Sequence, residues 1–233
     1  MKKIFAIISA VCFVSVAVAQ EKPDTKFRFG FKVAPSLAWL KPDIMNYSSN
    51  GSRIGFIYGL MMDYNFSKNY ALSTGIEISY RGGKLKYAYA NNSNVSFSGE
   101  DTYNLKYIEI PLTIKMKTNE IGYITYFGQF GFQPAFNIAA KSDFSHSKTN
   151  PSQVKTDTTS SDIDISGQIA SLNVSLLFAL GLEYRISGNT AIMAALQFSN
   201  GFTDVLTGKN PDDPDTELKA ISNYMSLNVG VFF

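Results

Sequence analysis

Cysteine, histidine and tryptophan each occur once in the 233 residues. The one cysteine, Cys12, sits in an apolar leader, so the exported remainder has no disulfide, thiolate metal site or cysteine nucleophile. A single histidine, His146, is too few for an imidazole metal site. After the first 20 residues no apolar run approaches the roughly 20 residues that a membrane-spanning helix needs. An excess of one charge is missing too. The 21 basic residues fall to 19 once Lys2 and Lys3 of the leader are set aside, level with the 19 acidic ones. No basic stripe follows, and nucleic acid is not an expected partner. Phosphate-cradling glycine motifs and helix-borne metal motifs are absent, so no cofactor or metal is expected.

What is present is aromatic side chains, 14% of the chain, and alternation at period two. The last stretch, Ala220–Phe233, shows it plainly. Met225, Leu227, Val229, Val231 and Phe233 point one way, and Tyr224, Ser226, Asn228 and Gly230 the other. Such a strand suits lipid on one side and a polar interior on the other. Its apolar face, closing on an aromatic residue, reads as a C-terminal insertion signal for the outer-membrane assembly machinery. At the other end Met1–Ala19 reads as a secretory signal, with Lys2 and Lys3 before an apolar centre and Ala17-Val18-Ala19 as the cleavage site. Residues 20–26 form a short periplasmic segment, and residues 27–233 a single domain.

Seven further alternating stretches precede the last: Phe27–Leu40, Arg53–Phe66, Tyr70–Gly82, Thr102–Lys117, Gly122–Ala140, Gly167–Ile186 and Thr190–Asn200. Pro35 removes a ladder donor within the first, which predicts a bulge or weakened pairing there. The connections alternate long and short. That is the asymmetry of a closed antiparallel eight-stranded transmembrane β-barrel with short periplasmic turns and longer extracellular loops. The long connections include the polar segments Gly83–Asp101, Lys141–Ser166 and Gly201–Lys219, read as loops available to surface partners.

A soluble eight-stranded carrier would also alternate, with its charges outside. Here the apolar parity of the second, third, sixth and seventh strands carries no Asp, Glu, Lys or Arg, while the opposite parity is rich in Gly, Ala and Ser. Small and ionic residues therefore face inward. Lys or Arg on the lipid side costs roughly 2–4 kcal/mol at the bilayer midplane. Aromatics gather at both strand ends: Phe27, Tyr64, Phe66, Tyr70, Tyr184 and Phe233 at one, Trp39, Tyr80 and Phe198 at the other, as two interfacial girdles. The inward charges are Arg28, Lys32, Asp63, Glu77, Arg81, Glu109, Lys115, Glu183 and Arg185, sharing a lumen with Tyr107. Eight strands leave an interior that side chains fill, so these are expected to pair as a structural network rather than line a wide pore.

The segment Tyr107-Ile108-Glu109-Ile110-Pro111-Leu112, with Phe29-Gly30-Phe31-Lys32 and the aromatic last residue Phe233, resembles the PorT-like outer-membrane β-barrel family. The resemblance implies a barrel in the outer membrane of a diderm bacterium with both ends in the periplasm. One branch of that family takes part in type IX protein secretion, which would make secretion components partners.

Two clusters call for separate reading. His146, flanked by Ser145 and Ser147 and near Asp143, has the residue types of an acyl-transfer site. It falls in a polar segment without the rigid placement that catalysis needs, so a solvated loop histidine is expected and the chain is not read as an enzyme. Asp212, Asp213, Asp215 and Glu217 could offer carboxylates to calcium, but the interleaved prolines and the missing ligand spacing point to a solvated loop tip. The sequence thus supports an integral outer-membrane barrel with a structural, assembly or surface-interaction role, with type IX accessory and narrow channel as the alternatives.

Overall fold

Strand formation follows the alternation, and the closed sheet follows from the need to pair every strand edge. In the computed structural model, which describes residues 25–90, 95–152, 154–208 and 217–233, the chain is almost entirely β. The leader and the acidic residues Asp212, Asp213 and Asp215 lie outside the described residues. The strands are β1 (Phe27–Pro42), β2 (Tyr47–Ser49), β3 (Arg53–Asn65), β4 (Tyr70–Ala90), β5 (Ser96–Glu109) and β6 (Leu112–Lys117). They continue with β7 (Ile124–Thr149), β8 (Lys155–Asp164), β9 (Leu172–Ser187), β10 (Thr190–Gly201) and β11 (Ala220–Phe232).

Pairing is antiparallel throughout. The ring runs β1, β3, β4, then β5 and β6 end to end, then β7, β9, β10, β11 and back to β1. This is the expected eight-stranded transmembrane barrel. The predicted fourth strand is divided at Ile110-Pro111, where proline interrupts the ladder. Across the gap, the Ile110 amide still donates to the Pro134 carbonyl at 2.9 Å. At Pro35 the register is unchanged, but the ladder to β11 lapses between Val33↔Val229 and Ser36↔Ser226. Pairing is weakened there without a bulge.

The faces are sorted as the sequence requires. Leu180 is 74% exposed, whereas Asp63, Glu109 and Lys115 are wholly buried. A continuous exposed belt of Leu, Ile, Val and Phe belongs against acyl chains. Aromatic pairs bound it: Phe27 with Tyr64 at 5.1 Å and Phe66 with Tyr70 at 6.3 Å near the short turns, Trp39 with Phe198 at 6.3 Å and Tyr58 with Tyr80 at 6.5 Å toward the far end. At the short β9–β10 turn Gly188 takes a φ of 52°, a left-handed conformation that glycine adopts without a Cβ clash.

Two polar segments read as loops are sheet instead. β4 and β5 continue pairing to Ala90↔Ser96, and β7 pairs with β5 up to Ser96↔Thr149 and with β8 from Lys155 to Asp164. Beyond the lipid belt, β2, β4, β5, β7 and β8 form a five-stranded antiparallel extension. Water wets both of its faces, so Ser, Thr and charged residues replace the apolar stripe that marks strands inside the membrane.

Candidate functional site

The lumen is layered. Near the short-turn end, Lys115 Nζ lies 2.7 Å from Asp63 Oδ2 and 2.5 Å from Glu183 Oε1, and Arg28 Nη1 lies 2.7 Å from Glu183 Oε2. The ammonium of Lys115 is also set 4.4 Å and 4.6 Å from the ring centres of Phe127 and Phe232, a cation–π arrangement. Ser73 donates to the other Asp63 oxygen at 2.6 Å. One layer up, Lys32 pairs with Glu77 at 2.8 Å. A void of about 30 Å³ beside them has room for one water molecule.

Higher still, the Arg81 guanidinium pairs with Glu109 at 3.1 Å and stacks 4.1 Å from the Tyr107 ring. Gln133 donates to Glu109 Oε2 at 2.7 Å, and the Tyr224 hydroxyl lies 3.0 Å from the same oxygen. The four cations Arg28, Lys32, Arg81 and Lys115 thus meet the four carboxylates Asp63, Glu77, Glu109 and Glu183, which leaves the interior formally neutral.

Arg185 departs from the sequence reading. It shares the inward parity, but the strand has already reached the rim there. Its side chain is exposed and pairs with Glu120 of the β6–β7 turn. With Arg28, Lys117 and Asn119 it borders an open mouth of about 280 Å³ at the short-turn end.

The other end is closed by apolar side chains that sequence periodicity did not assign. Leu40, Leu85, Tyr103, Leu105, Ile165, Ile169, Val205 and Leu206 form a buried cluster above the charged layers. Ile165 and Ile169 flank a short 3₁₀ turn, Ser166–Gln168, where the predicted strand start at Gly167 is replaced by a chain that folds inward before β9 begins at Leu172. The signal was available as isolated Ile, Val and Leu residues in otherwise polar segments.

The C-terminal residues Met225, Leu227, Val229 and Phe233 are exposed on the lipid side, and Val231 is half-exposed beside them. Glu217 is exposed, and among the described residues no cluster of carboxylates or imidazoles could hold a metal ion.

His146 is not a loop residue. It lies within β7, opposite Gly99 of β5 and Thr158 of β8. Its Nε2 is 2.9 Å from Asp101 Oδ1, and its ring packs 4.6 Å from Phe144 and 5.4 Å from Tyr87. A register shift between Lys106 and Tyr107 on β5 brings it there. One extra β7 residue moves the inward set from Gln133 and Ala135 to Ala140, Ser142, Phe144 and His146. The β7–β8 hairpin is fixed by polar bonds. Ser147 donates to Asp157 at 2.5 Å, and that hydrogen bond, with Lys155 beside it, holds the Asp157 carboxyl below its ordinary range. On its other face the extension forms an open groove of about 770 Å³, bordered by Ser98, Glu100, Asp143 and Ser145.

Residues 18–207 match the family model described as outer membrane protein beta-barrel domain. No curated protein matches the sequence. Among solved structures, Neisserial surface protein A is 13% identical over 89% of this chain and 96% of that one, with a TM-score of 0.43. OprG from Pseudomonas aeruginosa is 10% identical over 91% and 97%, with a TM-score of 0.44. Ail of Yersinia pestis is 14% identical over 90% and 100%, with a TM-score of 0.33.

Proposed function

The chain belongs to the outer membrane protein beta-barrel domain family, and from that premise we propose that it is a non-conducting surface-interaction barrel of the outer membrane. The observation that carries this reading is the contrast between its two halves. The lumen is spent on internal pairing beneath an apolar plug, while two hairpins continue as ordered sheet past the lipid belt. Strands that serve only to anchor could turn at the membrane surface. Here β4, β5, β7 and β8 hold polar side chains in fixed register beyond it, which suits contact with a partner outside the cell. In this reading the chain is not an enzyme, and His146 serves the packing of the extension. Export through a leader cleaved after Ala19 is part of the same proposal.

The barrel's interior predicts that folded protein in planar bilayers gives no conductance steps. A stable, reproducible conductance would remove the plugged-lumen reading and restore the narrow channel. Replacing Gly83–Asp101 and Lys141–Ser166 by tight turns should abolish surface binding while the barrel still folds. Recruitment by the assembly machinery through the final strand makes a further prediction. Deleting Phe233, whose amide and carbonyl both bond to Phe29, should lower membrane yield several-fold, and an unchanged yield counts against that recruitment.

The type IX accessory reading rests on the Tyr107–Leu112 segment. Its Tyr107 and Glu109 are buried in the charge network, and its proline falls at the gap between β5 and β6. These are structural duties that any barrel of this design would share. Co-purification of secretion components from native outer membranes is the measurement that would favour it.

A further inference from the structure

One level of the extension carries an unusual row. Reading across the five strands by register, Tyr47 faces Tyr87, Tyr87 faces Gly99, Gly99 faces His146 and His146 faces Thr158. The rings of Tyr47 and Tyr87 are 5.3 Å apart, those of Tyr87 and His146 5.4 Å, and Phe144 adds a fourth ring 4.6 Å from His146. Gly99 is what makes the row continuous. A Cβ there would come within 2.7 Å of the Tyr87 ring and 2.8 Å of the His146 ring, so only glycine lets the two close over the middle strand. All four rings are half-exposed, although each stands on a paired strand. Asp101 orients the imidazole from one register step away, and Lys148 stands 5.7 Å over the Phe97 ring one step the other way.

We propose that this aromatic strip is a binding site for an extended, uncharged carbohydrate chain outside the cell. The inference rests on the surface-interaction reading above and names its ligand class. A pyranose ring presents a flat C–H face that stacks on an aromatic ring and a rim of hydroxyls that bonds to carboxylates, tyrosine hydroxyls and threonines. The strip supplies both, with aromatic rings in a row and Asp101 and Thr158 at its flanks. The rings recur at about the spacing of adjacent strands, close to the repeat of one sugar in an extended glycan.

Charge decides against one competitor and apolar area against another. A single-stranded nucleic acid would also stack on such a row, but it needs a cationic groove for its phosphates. On the face that carries the row one carboxylate, Asp101, offsets one ammonium, Lys148, so no cationic groove is there to hold a polyanion. A protein partner would favour a larger apolar core than four half-exposed rings bordered by Ser and Thr.

The test uses the full barrel in detergent micelles, titrated calorimetrically with maltohexaose, laminarihexaose and cellohexaose, with dextran sulfate and carboxymethylated casein as comparators. At least one neutral saccharide should bind. Tyr87→Ala should weaken that binding about tenfold, the loss expected from one stacked ring, while Tyr87→Phe keeps most of it. Electrophoretic mobility before and after heating verifies that each variant is folded.

If no neutral saccharide binds at millimolar concentration, or if binding ignores both Tyr87→Ala and Tyr47→Ala, the proposal is overturned. Binding of dextran sulfate or casein that depends on these tyrosines overturns it in favour of a polyanion or a protein. A Thr158→Cys variant, labelled on whole cells with a membrane-impermeant maleimide, tests the underlying reading separately. Absence of label removes the surface placement, whereas labelled cells whose purified barrel binds no sugar lose only the ligand class.

Discussion

Replacing Lys115 with methionine is expected to destabilise the barrel by about 3–5 kcal/mol, the usual cost of stripping one partner from a buried ion pair. Lys115 is the hub of the lower layer. Without its ammonium the carboxylates of Asp63 and Glu183 face a lumen too narrow to hydrate them. Glu183 would keep Arg28, but Asp63 would keep only the Ser73 hydroxyl. The comparison that isolates charge from shape is Lys115→Met combined with Asp63→Asn. It should recover a large part of the loss, because the remaining carboxylate still has its guanidinium. Urea titration of the folded fraction in lipid vesicles, scored by heat-modifiable mobility, measures both. A shift below about 1 kcal/mol for the single variant would mean that the lumen is wet enough to screen these charges, as exposed pairs are.

The second large effect concerns the outside. Leu60→Arg should cost about 2–4 kcal/mol, since the guanidinium must enter the hydrocarbon or drag water and headgroups toward it. Leu60 lies between the girdle residues Tyr58 and Tyr64 on β3, with Phe31 of β1 and Ile76 of β4 directly opposite. All three are exposed, so no protein group is placed to receive the charge. The same change at Ile54, near the outer end of β3 and still more exposed, should cost under about 1 kcal/mol because the headgroup region solvates arginine. The contrast between the two positions carries the prediction. Equal, small costs at both would put Leu60 in water and invert the assignment of faces.

The assignment of faces was legible because lipid imposes a rule that water does not. Inside the bilayer a strand must put every ionic residue on one parity, and that regularity survives in the sequence of β3, β4, β9 and β10. Past the headgroups the rule lapses. β8 is exposed along nearly its whole length and reads as a polar tract, although it pairs with β7 from Lys155 to Asp164. Parity says which charges share a side but not how far along a strand the interior extends, and Arg185 lies past its end.

His146 illustrates a different failure. A single extra residue in a ladder reverses every side chain after it, so alternation counted from Gln133 assigns Phe144 and His146 to the wrong face. No residue type in that stretch announces the shift. The plug was hidden for a third reason: Ile165, Ile169, Val205 and Leu206 come from separate connections, and only the tertiary fold brings them over one opening.

The first and last strands are partners, and the Phe233 amide bonds back to the Phe29 carbonyl at 2.9 Å. Some two hundred residues of chain separate the two edges of that seam. The cylinder therefore cannot shut until synthesis and export have delivered the whole polypeptide. Until then the earlier strands present greasy faces and open hydrogen-bonding edges to the aqueous periplasm. Such long-range closure is slow by nature, so the seam between β1 and β11 is the last part of the sheet that the chain can complete.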